Sequence, residues 1–168
     1  MRRFLRSLPL VLLSALLLAG CGFHLRNALT LPPDLGPVRV IASDRFSPLI
    51  DPIEMALQRA GAQVVPAATR DVATLEVLSE RWATTPIAID EAGRALEYSL
   101  RYAVVFRLSD AQGQDIVPQQ AIEMARDFTQ SADELIGTES ERELLSREMR
   151  REMVASIVRR IDGASRQP

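Results

Sequence analysis

Between Leu96 and Ser109 the chain alternates without a break. Tyr98, Leu100, Tyr102, Val104, Phe106 and Leu108 fall on one side, and Ser99, Arg101, Ala103, Val105, Arg107 and Ser109 on the other. A period of two over a dozen residues describes a strand with one buried and one largely wetted face, a pattern that a helix does not satisfy. The chain is therefore built round a sheet that has one apolar face to cover.

The neighbouring segments supply the partners and the cover. Ala73 to Ile89 is strand-like, with Leu75, Val77, Leu78 and Trp82 apolar; the apolar side switches between Val77 and Leu78, which predicts a β-bulge there. Asp90 to Arg94 and Asp110 to Asp115 read as turns, and Gln119 to Thr129 as the next strand, with Ile122, Met124 and Phe128 on one face and Arg126 sharing it. Upstream, Val38 to Ala42 is a short β-branched strand, and Gln63 to Val65 can pair briefly before Pro66. Asp51-Pro52-Ile53-Glu54 reads as a helix start with Asp as N-cap and Pro at the first helical position, an earlier turn from Ser47-Pro48 being the alternative. Ile53, Ala56, Leu57 and Ala60 keep one face of that helix apolar, and Gly61 ends it. Thr138-Glu139-Ser140-Glu141 is a capping box for a second helix, in which Leu145, Met149, Met153, Ile157 and Ile161 recur every four residues beside Val154 and Val158, with Gly163 as its stop. The order β-α-β-β-β-α predicts an α+β two-layer sandwich, with two helices on one face of a four-stranded mixed sheet.

Ahead of the domain, Arg2, Arg3 and Arg6 precede the short apolar run Leu8 to Leu18, and Leu18-Ala19-Gly20 leads into Cys21, the chain's only cysteine. This is a secretory leader ending in a lipobox. Residues 1–20 are read as the signal peptide, Cys21 as the acylated first residue of the mature chain (S-diacylglycerol and N-acyl), and 21–37 as a linker rich in proline. Residues 38–163 form a single domain and 164–168 a disordered tail. Several acyl chains anchor a protein durably without spanning a membrane. Gly22, where an inner-membrane retention signal carries Asp, points to the periplasmic side of the outer membrane. Loss of the leader takes three arginines and moves the charge balance from 20 cations against 22 anions to 17 against 22, or −5. Such a chain has no general attraction for nucleic acid.

Catalytic chemistry finds no footing. The only histidine, His24, lies beside the anchor, so the domain has no Ser-His or Cys-His set, no ligand cluster for a metal and no Gly-rich phosphate loop. Glu123 is expected opposite Arg107 as an exposed pair. The reading is of a protein that is not an enzyme and needs no cofactor.

The mature start Cys21-Gly22-Phe23-His24-Leu25-Arg26, Gly93 followed by Leu96-Glu97-Tyr98, Arg126-Asp127-Phe128 and Glu148-Met149 together resemble the LPS-assembly lipoprotein LptE family. The resemblance implies a plug-and-barrel translocon. Family members sit inside the outer-membrane β-barrel LptD, assist its assembly, bind lipopolysaccharide and help to deliver it to the outer leaflet. Some carry basic residues at the hairpin tip and before the second helix, where this chain has Glu91, Thr138 and Glu139. Candidate lipopolysaccharide contacts are Arg81, Arg94, Arg101 and Arg126, and Arg126, as a core-facing charge, should have an ionic partner. The apolar tip Pro86-Ile87-Ala88-Ile89 supplies the candidate barrel contacts Ile87 and Ile89, with Tyr98 beside them. The expected partners are thus LptD, lipopolysaccharide and outer-membrane lipid. The alternative is a lipid-anchored periplasmic module that binds another envelope ligand.

Overall fold

A computed structural model of the chain describes residues 35–91, 93, 95–129 and 135–164, and within the last stretch side chains from Ser140 onward. The lipobox, Cys21, His24, Arg26, Arg94, the side chains of Thr138 and Glu139, and residues 165–168 lie outside the described residues.

The elements are β1 (Pro37–Ala42), α1 (Ile50–Arg59), β2 (Gln63–Val64), β3 (Ala73–Ile89), β4 (Ala95–Ser109), β5 (Asp115–Thr129) and α2 (Leu135–Ala164). They make the expected α+β sandwich, but the sheet has five strands, in the order β2-β1-β3-β4-β5, where four are predicted. The fifth is the two-residue β2, which runs parallel to β1. Val38 to Ala42 lies parallel to Ala73 to Val77, and β3, β4 and β5 follow as an antiparallel meander.

The core side of β4 is the alternating set named from the sequence. Leu100, Tyr102, Val104, Phe106 and Leu108 are all buried, facing Val38, Val40, Leu75 and Val77 along the sheet and Ile53, Leu57, Met149, Met153, Ile157 and Ile161 from the helices. Each such aliphatic side chain contributes about 1.5–3 kcal/mol of transfer free energy. Leu35 joins this cluster from the end of the predicted linker, 7% exposed.

The helix ends depart from the caps read in the sequence. α1 begins at Ile50 with Leu49 as N-cap and no side-chain cap, so Asp51 is the second helical residue. The first turn's N–H groups have no helical acceptor in any case, which is why Pro52 fits there. At the other end, Gly61 adopts φ 94°, its N–H donates to the Gln58 carbonyl, and Ala62 N–H donates to that of Leu57. This double bond to the last turn needs a left-handed residue, which glycine supplies without steric cost. α2 starts three residues before the Thr138 capping box and runs through Gly163 to Ala164, so neither signal marks its end. Its apolar stripe outweighs one glycine's helix cost of about 1 kcal/mol.

Arg107 does not meet Glu123. The tight turn at Gly113 brings Glu123 opposite Ala103, so Glu123 pairs diagonally with Arg101 at 3.3 Å while Arg107 reaches Glu76 on β3 at 2.6 Å. Arg126 has the ionic partner expected of it: its Nη2 lies 2.6 Å from Glu152 Oε2 on α2, with both side chains nearly half exposed. The pair sits at the rim of the helix-covered face and is not buried.

Two substitutions separate these contributions. Ile157→Ala should cost about 2–5 kcal/mol in denaturant unfolding, whereas Arg126→Leu should change stability by no more than about 1 kcal/mol, as for a half-exposed pair.

Candidate functional site

Between Val77 and Ser79 the register of β3 against β4 shifts by one residue. Leu78 is taken up as the expected bulge, and the side chains that face the helices change from odd to even numbers. Glu80 and Trp82 consequently arrive on the covered face, opposite Val104 and Tyr102.

The Trp82 and Tyr102 rings stack with centroids 3.8 Å apart and planes 10° from parallel. The Tyr102 hydroxyl donates to Glu80 Oε1 at 2.8 Å, and the Ser47 hydroxyl donates to Glu80 Oε2 at 2.7 Å. From α2, the Arg150 guanidinium lies over Trp82, 5.6 Å from the ring centre. Four elements meet here: the loop before α1, β3, β4 and α2. Burial, and then the hydrogen bond and charge of Glu80, push the Tyr102 hydroxyl far above its ordinary value of 10.0, with the Arg150 charge opposing. Tyr102 is thus a fixed donor to a carboxylate whose two oxygens are both engaged. The cluster holds protons in place and joins layers. Arg150 Nε is buried with no acceptor, a state that costs about 1–3 kcal/mol for a neutral group and more for a charged one.

The arginines singled out from the sequence are not brought to one surface. Arg81 and Arg101 project from the uncovered face of the sheet, where Arg81 is opposite Ala103 and Arg101 opposite Ala83, so the two are diagonal neighbours. Arg126 is on the other face. The hairpin tip carries exposed aliphatic side chains: Ile87 and Ile89, to which the structure adds Leu96. Ile87 is itself unpaired, at a second register shift between Pro86 and Ala88. Tyr98 stacks on Phe128 of β5, ring centres 5.6 Å apart, and is half-buried.

One feature escaped the sequence reading. Between α1 and α2 lies a groove of about 790 Å3, floored by apolar side chains and edged by Arg59, Arg147, Arg150 and Arg151. Its signal was present as Arg147, Arg150 and Arg151 preceding Val154 and Val158 at helical spacing, but that spacing also fits an ordinary solvated flank of α2. Among the described residues, no group of three or more His, Cys, Asp or Glu side chains could hold a metal ion, and no helix is long and apolar enough to cross a membrane.

The model of the LptE family, described as lipopolysaccharide-assembly, matches residues 38–161, from the first strand almost to the end of α2. The chain belongs to the LptE family. Among its relatives, the LPS-assembly lipoprotein LptE of Pectobacterium atrosepticum is 33% identical over 115 residues, covering 67% of this chain and 62% of the relative. The LPS-assembly lipoprotein LptE of Yersinia pestis is 31% identical over 158 residues, 93% of this chain and 75% of the relative. The match to the Pectobacterium protein thus spans about six tenths of that protein's length. In solved structures the fold recurs in a lipoprotein B from Nitrosomonas europaea (TM-score 0.69, 25% identity, 82% of this chain and 88% of that one). It recurs also in the rare lipoprotein B of Shewanella oneidensis (TM-score 0.63, 22% identity, 74% and 92%). The cluster, groove and tip described above are thus features carried on an LptE domain.

The Tyr102 environment gives a pH dependence with a definite sign. A hydroxyl kept protonated by the fold contributes stability that is complete below pH 10 and lost as pH rises beyond it, when the unfolded chain releases a proton that the folded chain retains. Tyr102→Phe should therefore flatten the alkaline decline seen in denaturant titrations above about pH 10. An unchanged decline would place the responsible group elsewhere.

Proposed function

We propose that this LptE-family chain is an outer-membrane lipoprotein, held at the periplasmic side by acyl groups on Cys21, that plugs the LptD β-barrel and supports its assembly in lipopolysaccharide export. The observation that carries the reading is the β3–β4 hairpin. Three of the six large hydrophobic side chains that are exposed among the described residues, Ile87, Ile89 and Leu96, gather at its end. The rest of the meander shows charged and small residues outward and a closed core inward. An apolar patch on an otherwise polar body marks a contact with a partner. A barrel lumen is itself polar, so a wetted domain with one apolar tip suits insertion into it.

The chemistry required is binding and positioning. Family membership supports this, since the family is named for lipopolysaccharide assembly, and the Tyr102–Glu80 cluster offers no free nucleophile. For lipopolysaccharide itself, Arg81 and Arg101 on the open face are the contacts proposed, together with Arg94, which precedes β4 in the sequence. Arg126, already paired with Glu152 on the other face, is proposed as a separate contact.

Ile87→Asp with Ile89→Asp should sharply reduce the yield of a large barrel protein brought down from outer membranes after mild detergent extraction, with the thermal midpoint of the domain nearly unchanged. Undiminished copurification would remove the tip from the interface, and the absence of any barrel companion for the unaltered protein would overturn the plug reading. Cys21→Ala should release a folded domain into the soluble fraction.

A further inference from the structure

Past Val77, β3 is paired on one side only. Its ladder with β1 stops at Ala42 and Val77, whereas its ladder with β4 runs on from Ser79 to Ile89. Among the described residues no strand lies along the other edge of that stretch. Pro86 shows how the edge is oriented. It sits in the ladder opposite Tyr98 yet has no N–H to give, so its nitrogen belongs on the side away from β4. Backbone groups alternate in direction along an antiparallel strand. Thr84 and Trp82, two and four residues earlier with no register shift between, therefore turn both N–H and C=O to the open edge. This edge lacks the devices that keep a bare strand from pairing. Trp82 to Ile89 holds no charged residue, and Ala83 to Ile87 are all exposed. Pro86 ends the run of donors and so sets a length for pairing without blocking it. β5, the opposite edge strand, carries Asp115, Pro118, Glu123, Arg126 and Asp127, the charges and proline that discourage edge-to-edge association. A second feature lies beside the bare edge, a cleft of about 580 Å3 between β3 and α2. Trp82, Thr84 and Leu100 line it from the sheet and Arg142, Arg147 and Arg150 from the helix, against the one carboxylate of Glu143. Glu143 is engaged by Arg147 at 3.1 Å, and Arg150 Nε is buried without an acceptor. The cleft thus keeps an excess of positive charge.

We propose that an extended segment of another polypeptide adds to this edge as a further strand, pairing with Trp82, Thr84 and Pro86 and placing a carboxylate side chain in the cleft beside α2. A strand that adds to an edge takes affinity from main-chain hydrogen bonds and selectivity from pockets for its alternate side chains. Both parts are present here. The added strand would lie about 4.8 Å from β3, which brings its inward side chains to the arginines, and guanidinium groups pair most strongly with carboxylates. A second copy of this chain is the poorer occupant. Its own free edge holds no acid, and antiparallel pairing of two β3 edges would turn two sets of arginines toward each other. A docked helix would leave the Trp82 and Thr84 backbone groups without partners. The edge and its cleft are distinct from the Ile87–Ile89 tip, and the inference does not rest on the barrel partnership.

The test uses the full-length protein in detergent micelles and a fluorescent seven-residue peptide in which threonine alternates with valine, glutamate and valine, followed by polarisation. The peptide should bind, and hydrogen exchange at the Trp82 and Thr84 amides should slow on saturation by about tenfold or more. Replacing its glutamate by glutamine should weaken binding about tenfold. Of two versions N-methylated at alternate residues, the one blocked on the side that meets β3 should lose binding and the other retain it. Thr84→Pro removes an N–H that β4 does not use, so it should lower affinity about tenfold or more with the thermal midpoint nearly unchanged, whereas Thr84→Val should leave binding intact. Should the proline variant fail to fold, the methylated pair on the unaltered protein still decides. Equal effects of the two methylations would overturn strand addition, and equal binding of the glutamine version would overturn the role of the carboxylate. Slowed exchange along β5 in place of β3 would overturn the choice of edge. A dimer of the protein that the peptide dissociates would make the second copy the natural occupant, and absence of binding at about 1 mM peptide would overturn the proposal outright.

Discussion

A single extra residue in β3 determines how the two layers of this domain join. With regular pairing past Val77, the side chains of Ser79, Arg81 and Ala83 would face the helices, while Glu80 and Trp82 would face outward. The bulge at Leu78 reverses that assignment. It places an indole against Tyr102 and a carboxylate between two hydroxyls, and it leaves Arg81 on the open face. The cost of an unpaired ladder position is local, whereas the alternative buries an arginine without a partner, at several kcal/mol.

What could be read from the chain beforehand follows from how local each determinant is. The alternation of β4, the stripe of α2 and the bulge are written in consecutive residues, and each is present as expected. β2 has only two paired residues, and its existence depends on β1 being ready to receive it, so the composition of Gln63 to Val65 alone was too little. The helix starts were misplaced because Asp51 and Thr138 offer good local caps, yet packing of Leu49 and Ile50 against the core extends α1 backwards, and α2 begins before its capping box. The Arg107–Glu123 expectation failed on the turn at Gly113, which is tight enough to set Ser109 opposite Asp115 and so leaves Glu123 opposite Ala103. The groove needed two helices from distant parts of the chain to be set side by side.

The same organisation separates the surfaces on which function is proposed. The open face of the sheet carries Arg81 and Arg101, the hairpin tip carries exposed aliphatic side chains, and the free edge of β3 borders the arginine-lined cleft beside α2. Tyr102, Glu80 and Ser47 sit among them as a tie between layers, with both Glu80 oxygens engaged by hydroxyl donors and Arg150 lying over Trp82. The contacts at the seam join the layers that carry those surfaces.

The claim that the phase change in β3 sets the layer assignment is tested most directly by nuclear Overhauser contacts in the folded domain. Trp82 is the only tryptophan in the chain, so its indole protons are an unambiguous probe. The account predicts strong contacts between the indole of Trp82 and the ring of Tyr102, together with contacts to the side chain of Arg150. Contacts instead to Arg101 and Ala103, with none to Tyr102, would place Trp82 on the open face and contradict it.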